Sequence, residues 1–312
     1  MELKPDLSHL FEEYITECQF TRRLSSETLR GYKSVFSLLL LVVPEITSSL
    51  SLTPDMMNEF FKRLQTRERK IGKGVIKSGV RCSTIRTYWH KLNCFFMWLR
   101  VNKHIANNPL QNIKPPEAIY EDNRALENSE IQRLFAAVAL HSQNILILRR
   151  DTLILSLFVF CGLRKGEFLS LQVRDIDVDK GMLLIRAKSS KSRKTRSIPI
   201  HKTLMMHFQE YIRERNKHGY KTEYLIVSNN HDSKLTSHGL KHWVKRLNIA
   251  SGVRFHLHRF RHAFACTLGN KNVGLIKIQK LMGHADPKMT AKYLRSITSE
   301  ELRADIDMLS IY

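Results

Sequence analysis

The strongest constraint on this chain is a break in its pattern. Around residues 107–122 the helical spacing of apolar residues stops, and Pro109, Pro115 and Pro116 fall in one short stretch. Proline fixes φ, lacks an N–H and biases the preceding residue toward extended backbone, so residues 109–122 read as a linker between two units. Length agrees, since 312 residues suit two domains. Residues 1–108 carry four apolar stripes at helical spacing: Leu7–Cys18, a stretch from Leu29 behind the Ser25-Ser26 cap, one from Met56 behind Thr53-Pro54, and one from Ile85 behind Ser83-Thr84. That predicts a small all-α unit. Residues 123–297 read as mixed. A helix starts near Asn128, an apolar helix over Leu153–Leu163 ends at Gly162, short strands lie at 181–185 and 197–200, and Tyr224–Val227 reads as a third. Helices are expected from Thr236-Ser237, over Leu257–Leu268 and over Val273–Met282. Residues 298–312 form a tail whose Leu302, Ile306 and Leu309 make an apolar stripe.

Charge narrows the partner. Lys plus Arg number 51 and Asp plus Glu 29, a net +22. Both units share the excess, with 18 bases against 11 acids over 1–120 and 33 against 18 over 121–312. A chain this basic points to a polyanion, nucleic acid first. No apolar run approaches the roughly 20 residues of a membrane span, and the N-terminal stretch carries Glu2, Asp6, Glu12 and Glu13 where a signal peptide would be basic then apolar. Five cysteines without a C-x-x-C pair read as reduced thiols. A cytoplasmic, nucleoid-associated protein without membrane contact is expected.

Several segments carry candidate chemistry. Between the third and fourth helices Arg67, Arg69, Lys70, Lys73, Lys77 and Arg81 face one acid, Glu68, among glycines 72, 74 and 79. This is a solvated basic loop or one that contacts phosphates. Six of the eleven residues from Arg186 to Arg196 are basic and none is acidic, with Lys188, Lys191, Arg193 and Lys194 on the expected hairpin tip. Such crowding is relieved by a bound anion. Arg164 follows an apolar helix and a glycine, with Glu167 as a possible partner. His258, Arg261 and His262 lie within one helical turn or so of each other, His284 follows a glycine-ended helix, and Tyr293 lies nine residues on. His258, His262 and Cys266 also repeat at four-residue spacing, which leaves a zinc reading open, although three flanking cations oppose it. Two guanidinium forks, a lysine, two imidazoles and a phenol suffice for phosphoryl transfer: the forks clamp the oxygens that gain charge, the lysine protonates a leaving alkoxide, and the phenol attacks.

Taken in order, Arg164, Lys191, His258, Arg261, His284 and Tyr293 resemble the tyrosine recombinase (phage integrase) family. Cys-Gly-Leu-Arg164-Lys-Gly-Glu167 with the later Asp175-Ile-Asp177 is similar to that family's arginine box, His258-Arg-Phe-Arg261-His262-Ala-Phe-Ala to its second, and Leu-Met-Gly-His284 with Tyr293 to its third. Leu24–Tyr32 is similar to its core-binding domain. The resemblance implies a mainly α fold: a SAM-like four-helix core-binding domain, then an α+β catalytic domain with a small antiparallel sheet. It implies that Tyr293 attacks a scissile phosphate held by Arg164 and Arg261. Lys191 would protonate the leaving 5′-oxygen, with Lys188 as the alternative three residues earlier. His258 would move a proton, His284 would bond the phosphate, and Glu167 would orient the site. Arg69, Lys70, Lys73, Lys77, Arg81, Lys188, Arg193, Lys194 and Arg196 would contact duplex DNA. It further implies no cofactor and no metal, a homo-oligomer that is tetrameric on DNA, and a tail that docks on a neighbouring protomer. Lack of an extra N-terminal arm domain favours a simple Xer-like or transposon-like, mobile-element system. Arg259 departs from the family pattern and is expected to face solvent or DNA. A type IB topoisomerase and a non-catalytic DNA-binding protein of the same fold remain alternatives.

Overall fold

The computed structural model describes residues 6–71, 74–117, 125–187, 195–228, 231–284, 286 and 290. Lys73, Lys188, Lys191, Arg193, Lys194, Tyr293 and the tail from 298 lie outside the described residues. The chain divides into two compact units, Met1–Glu121 and Asp122–Tyr312.

The first unit is built from α1 (Leu7–Phe20), α2 (Ser26–Val42), α3 (Pro54–Thr66) and α4 (Cys82–Val101). Local chemistry sets the starts of α2 and α3. The Ser25 hydroxyl accepts from the Thr28 N–H at 3.3 Å, and Thr53 accepts from Met56 N–H at 3.3 Å with Pro54 at the first helical position. Aromatic rings then join α1, α2 and α4: Phe11 stacks on Phe36 at 3.8 Å, and Phe95 meets both edge-on at 5.1 and 5.7 Å. The stretch after α4 is laid back on that helix as far as it is described. Trp89 Nε1–H donates to the Ile113 carbonyl at 2.8 Å, Arg86 donates to the Pro116 carbonyl at 2.8 Å, and Leu110 is fully buried.

The basic segment between α3 and α4 is not a loop. It forms an antiparallel ribbon of β1 (Glu68–Ile71) and β2 (Val75–Ser78). Gly79 closes it: its N–H donates to the Arg67 carbonyl at 2.9 Å, its φ is +64°, and a Cβ there would lie 2.4 Å from the Gln65 carbonyl oxygen. Backbone pairing of this kind leaves no periodic apolar signal in the sequence, because every side chain of β2 is exposed.

The second unit contains α5 (Asn128–His141), α6 (Ile145–Cys161), α7 (Lys165–Leu169), β3 (Ile176–Asp177), β4 (Met182–Ile185), β5 (Arg196–Pro199), α8 (Lys202–Lys217), α9 (Ser237–Ser251), α10 (Leu257–Gly269) and α11 (Leu275–Met282). Helix α6 is apolar almost all round and is the core element, packed by α5, α8 and α10. The sheet is antiparallel in the order β3-β4-β5, with Leu183 opposite Ile198 and Ile185 opposite Arg196. Two differences from the sequence reading appear. The third strand is Ile176–Asp177, while Tyr224–Val227 makes only isolated bridges, because its backbone is divided between Leu171, Leu235 and the Tyr211 hydroxyl. Residues 202–217, assigned no element from sequence, form α8, whose buried stripe is only Leu204, Phe208, Tyr211 and Arg215. Among the described residues no helix is long and apolar enough to cross a membrane.

Candidate functional site

The site begins where α6 ends. Gly162 caps that helix at φ +55°, and a Cβ there would strike the Phe264 ring of α10 at 2.5 Å, so both backbone and packing demand glycine. The chain then turns into Arg164, the residue that precedes α7. Its N–H donates to Glu167 Oε2 at 2.9 Å and its Nη1 to Glu167 Oε1 at 3.0 Å. Glu167 has a fully buried side chain and is met from the other side by Arg196 of β5, whose Nη1 and Nη2 each donate to it at 2.9 Å.

Helix α11 supplies the opposite wall. It ends at Gly283 with φ +62°, leaving its last carbonyls without helical partners. Those carbonyls collect guanidinium groups. Arg196 Nε donates to Leu281 at 2.9 Å, Arg164 donates to Met282 at 3.4 Å and Gly283 at 3.3 Å, and Arg261 of α10 donates to Met282. The negative end of a helix dipole favours all three cations. A Cβ at Gly283 would meet the Arg196 side chain at 2.8–3.1 Å, so glycine is needed there for close approach as well as for φ. Arg261 is only 1% exposed, and its Nη1 donates to the Gly162 carbonyl at 2.7 Å.

His284 completes the cluster. Its Nε2 lies 2.8 Å from Arg261 Nη2 and its Nδ1 lies 2.8 Å from the Thr290 hydroxyl. A guanidinium can only donate, so Nε2 is the acceptor and the proton sits on Nδ1, which donates to Thr290. Burial, then Arg261, Arg164 and Arg196, push the imidazole down to about 3. His258 on α10, although exposed at its surface, is also held below its ordinary value, by partial desolvation and then by Arg261. Burial pushes the Glu167 carboxyl up, but the Arg196 pair and Arg164 outweigh it and leave the group below the usual carboxylate range. Among the described residues the cluster at neutral pH therefore holds three guanidinium charges, one carboxylate and neutral imidazoles.

Arg164, Glu167, Arg261 and His284 thus come together as the sequence predicts. Arg196, expected among the DNA contacts, is placed differently. Its side chain is 8% exposed and committed to Glu167 and Leu281, so here it is a strut of the cluster. Arg259, expected to face solvent or DNA, is instead largely covered: it donates to Glu130 at 2.9 Å and to the Ala125 carbonyl at 3.3 Å, tying α10 to the start of α5. Thr290, which fixes the His284 tautomer, carries no sequence signal that sets it apart. Among the described residues no three His, Cys, Asp or Glu side chains are arranged to hold a metal, so the His258, His262, Cys266 alternative has no ligand set there.

A mainly helical chain whose second unit gathers arginines on helix ends around one buried acid defines a catalytic unit of the tyrosine-recombinase class. The chain belongs to the phage integrase family, whose model, described as "Phage integrase family", matches residues 124–300. It is 31% identical over 195 residues to a tyrosine recombinase XerA of Thermococcus kodakarensis, a match covering 62% of this chain and 65% of that relative. It is 29% identical over 299 residues to a tyrosine recombinase of Thermosipho africanus, covering 95% and 96%. In structure it is similar to a Tn1549 transposon integrase in complex with a circular intermediate DNA, at a TM-score of 0.75 and 17% identity over 96% of this chain and 98% of that one. It is also similar to a lambda integrase dimer bound to a COC′ core site, at a TM-score of 0.69 and 19% identity over 93% and 77%. At these identities the solved structures establish the fold.

Two measurements check the cluster. Arg196→Gln leaves a buried carboxylate with one partner fewer and is expected to lower the unfolding free energy by about 3 kcal/mol in urea. Arg196→Lys should recover only part, because an ammonium cannot make both bonds. The second concerns pH. With a folded value near 3 against about 6.5 unfolded, the unfolded chain takes up the His284 proton first as pH falls. The stabilising contribution of neutral His284 is therefore complete above about pH 6.5 and is lost between there and about 3. The stability lost between pH 7 and pH 5 should be smaller in His284→Gln than in wild type, by on the order of 1–2 kcal/mol. Identical losses would remove His284 from the account.

Proposed function

We propose that the chain cuts and rejoins duplex DNA at specific sites through a covalent 3′-phosphotyrosine on Tyr293. The observation that carries this reading is the convergence of Arg164 and Arg261 on one carbonyl, that of Met282, with Glu167 and His284 flanking them. Among the described residues Arg261 is anchored on carbonyls and an imidazole, and Arg164 shares its carboxylate, Glu167, with Arg196, so three guanidinium charges against one carboxylate leave positive charge for a phosphate whose non-bridging oxygens become more negative in the transition state. Tyr293 Oη forms the new bond to phosphorus as the bond from phosphorus to the 5′-oxygen breaks. Lys191, or Lys188 three residues earlier, gives that oxygen its proton. His258, neutral at working pH, accepts the phenol proton. In the second step a 5′-hydroxyl from the partner strand attacks the phosphotyrosine and the phenol leaves with a proton. Each step exchanges one phosphate ester for another, so no net bond energy has to be supplied. Arg261 meets the phosphate by exchanging its contact with His284, and His284 can then donate to the phosphate once its single proton moves from Nδ1 to Nε2, with the Thr290 hydroxyl turning to donate to Nδ1.

Strand exchange needs two cut duplexes and so an assembly of four protomers. The second unit has an apolar cavity of about 500 Å³ lined by Val159, Phe160, Ile200, Phe260, Phe264 and Leu268. This suits the stripe Leu302, Ile306, Leu309 from the tail of a neighbouring copy.

On DNA taken from the flanks of its gene, nicked so that the cleaved strand is lost, wild-type protein should give a covalent adduct on a denaturing gel. Tyr293→Phe should give none while binding the same DNA. Absence of adduct from the wild type on every such site defeats the reading. Deleting Thr298–Tyr312 should reduce recombination at least ten times more than it reduces DNA affinity; equal losses would rule out tail exchange.

A further inference from the structure

Thr290 is fully buried, and its hydroxyl lies 2.8 Å from His284 Nδ1. The other ring nitrogen, Nε2, lies 2.8 Å from Arg261 Nη2. The His284 backbone is held too: its N–H donates to the Gln279 carbonyl and its own carbonyl accepts from Gln279 Nε2, both at 3.2 Å. With the residue held this way, what can still change is the nitrogen that carries the ring proton. Two states ask opposite things of it. Facing Arg261, which only donates, Nε2 must be bare, so Nδ1 carries the proton and Thr290 accepts it. Facing a phosphate oxygen, which only accepts, Nε2 must carry the proton and Nδ1 then needs a donor. One buried side chain has to serve both. A carboxylate at 290 would only accept, hold the proton on Nδ1 and favour a charged ring. An ammonium would only donate and would add a cation beside three guanidinium groups. A hydroxyl accepts through its lone pairs, donates through its O–H and is uncharged, so a turn about its C–O bond changes its role.

We infer that Thr290 is a positioning residue for the proposed cleavage, required because its hydroxyl serves both tautomers of His284: it accepts from Nδ1 before the phosphate arrives and donates to Nδ1 afterwards. This rests on the DNA-cleaving function proposed above and adds to it a residue and an order of events. The step balances. Nδ1 gives its proton to water, Nε2 takes one from water, and the ring is neutral before and after. A charged ring would be opposed by Arg261, Arg164 and Arg196 together, so exchange of tautomers is the open route from acceptor to donor. Thr290→Val keeps the shape of the side chain and removes the hydroxyl. Each tautomer then meets a fault: Nδ1–H against a methyl group, or Nε2–H against an N–H of Arg261.

The test reads tautomer and rate separately, in full-length protein. With nitrogen-15 in every histidine, the His284 signals are those missing from His284→Gln, and they should show the proton on Nδ1 when no DNA is present. In Tyr293→Phe bound to a duplex from the flanks of its gene, they should show it on Nε2. A proton on Nε2 in the free protein, or on Nδ1 in both states, overturns the inference, and neither measurement needs a change at Thr290. Cleavage of the nicked duplex at saturating protein should be about tenfold slower in Thr290→Val than in wild type at equal DNA affinity, and within about threefold of wild type in Thr290→Ser. An amide at 284 donates whatever stands at 290. In a His284→Gln background, adding Thr290→Val should therefore slow cleavage by less than about twofold. A loss as large there as in wild type marks a packing role for Thr290 and overturns the inference. The free-protein tautomer involves no DNA, so it is read even where the wild type forms no adduct and the proposed function fails.

Discussion

Everything in the second unit depends on guanidinium groups being held by helix-end carbonyls. Arg164, Arg196 and Arg261 all donate to carbonyls at the C-terminus of α11, and Arg261 reaches a further one at the C-terminus of α6. A carbonyl satisfies an N–H and offers partial negative charge without cancelling a full positive one. Carboxylates in the same places would fix the arginines equally well and abolish the cationic site. Among the described residues one acid, Glu167, bonds these arginines, and it is shared between two of them. The two left-handed glycines, Gly162 and Gly283, are the sequence-level cause: each ends a helix abruptly, and each lets a bulky neighbour, Phe264 or Arg196, pack where a Cβ would stand.

Arg196 explains why a helical unit carries a sheet at all. It begins β5 opposite Ile185 and extends from there into the cluster. On the other strand at the same end of the hairpin, Arg186, next to Ile185, donates to Asp175 and to the Ser170 carbonyl, both at 2.9 Å. The segment that bears Lys188 and Lys191 in the sequence therefore leaves one pinned arginine and returns to another. The short strands serve as mounts that deliver the two ends of a basic segment to fixed points beside α7 and α11.

The parts legible in the sequence were those with a local signature. Caps such as Ser25 and Thr53, the apolar α6, and the glycine that ends it are written in neighbouring residues, and Arg164, Glu167, Arg261 and His284 sit at such marked places. What was not legible depends on burial or on distant partners. Arg196 looks like any other base in a run of bases, and only tertiary packing against Glu167 removes it from the surface. Arg259 is decided by Glu130, far away in the chain. Helix α8 shows too few apolar residues to stand out, and Tyr224–Val227 has the composition of a strand with its backbone bonds spent elsewhere. The ribbon at 68–78 is defined by backbone pairing alone.

The His284 tautomer bears on how such a site is kept ready. Thr290 accepts the Nδ1 proton, which leaves Nε2 as a lone pair aimed at Arg261, and the neighbouring cations keep a second proton off the ring. Arg261 is thereby satisfied while no phosphate is bound, which an enclosed guanidinium requires. Yet the contact His284 offers it is a neutral nitrogen, a much weaker acceptor for a cation than an anionic oxygen. An arriving phosphodiester, on the function proposed here, has only to displace a neutral acceptor from a fork already oriented by Gly162 and Met282. Had the partner been a carboxylate, each binding event would first break an ion pair. The neutral imidazole lets the same arginine be both structurally content and chemically available.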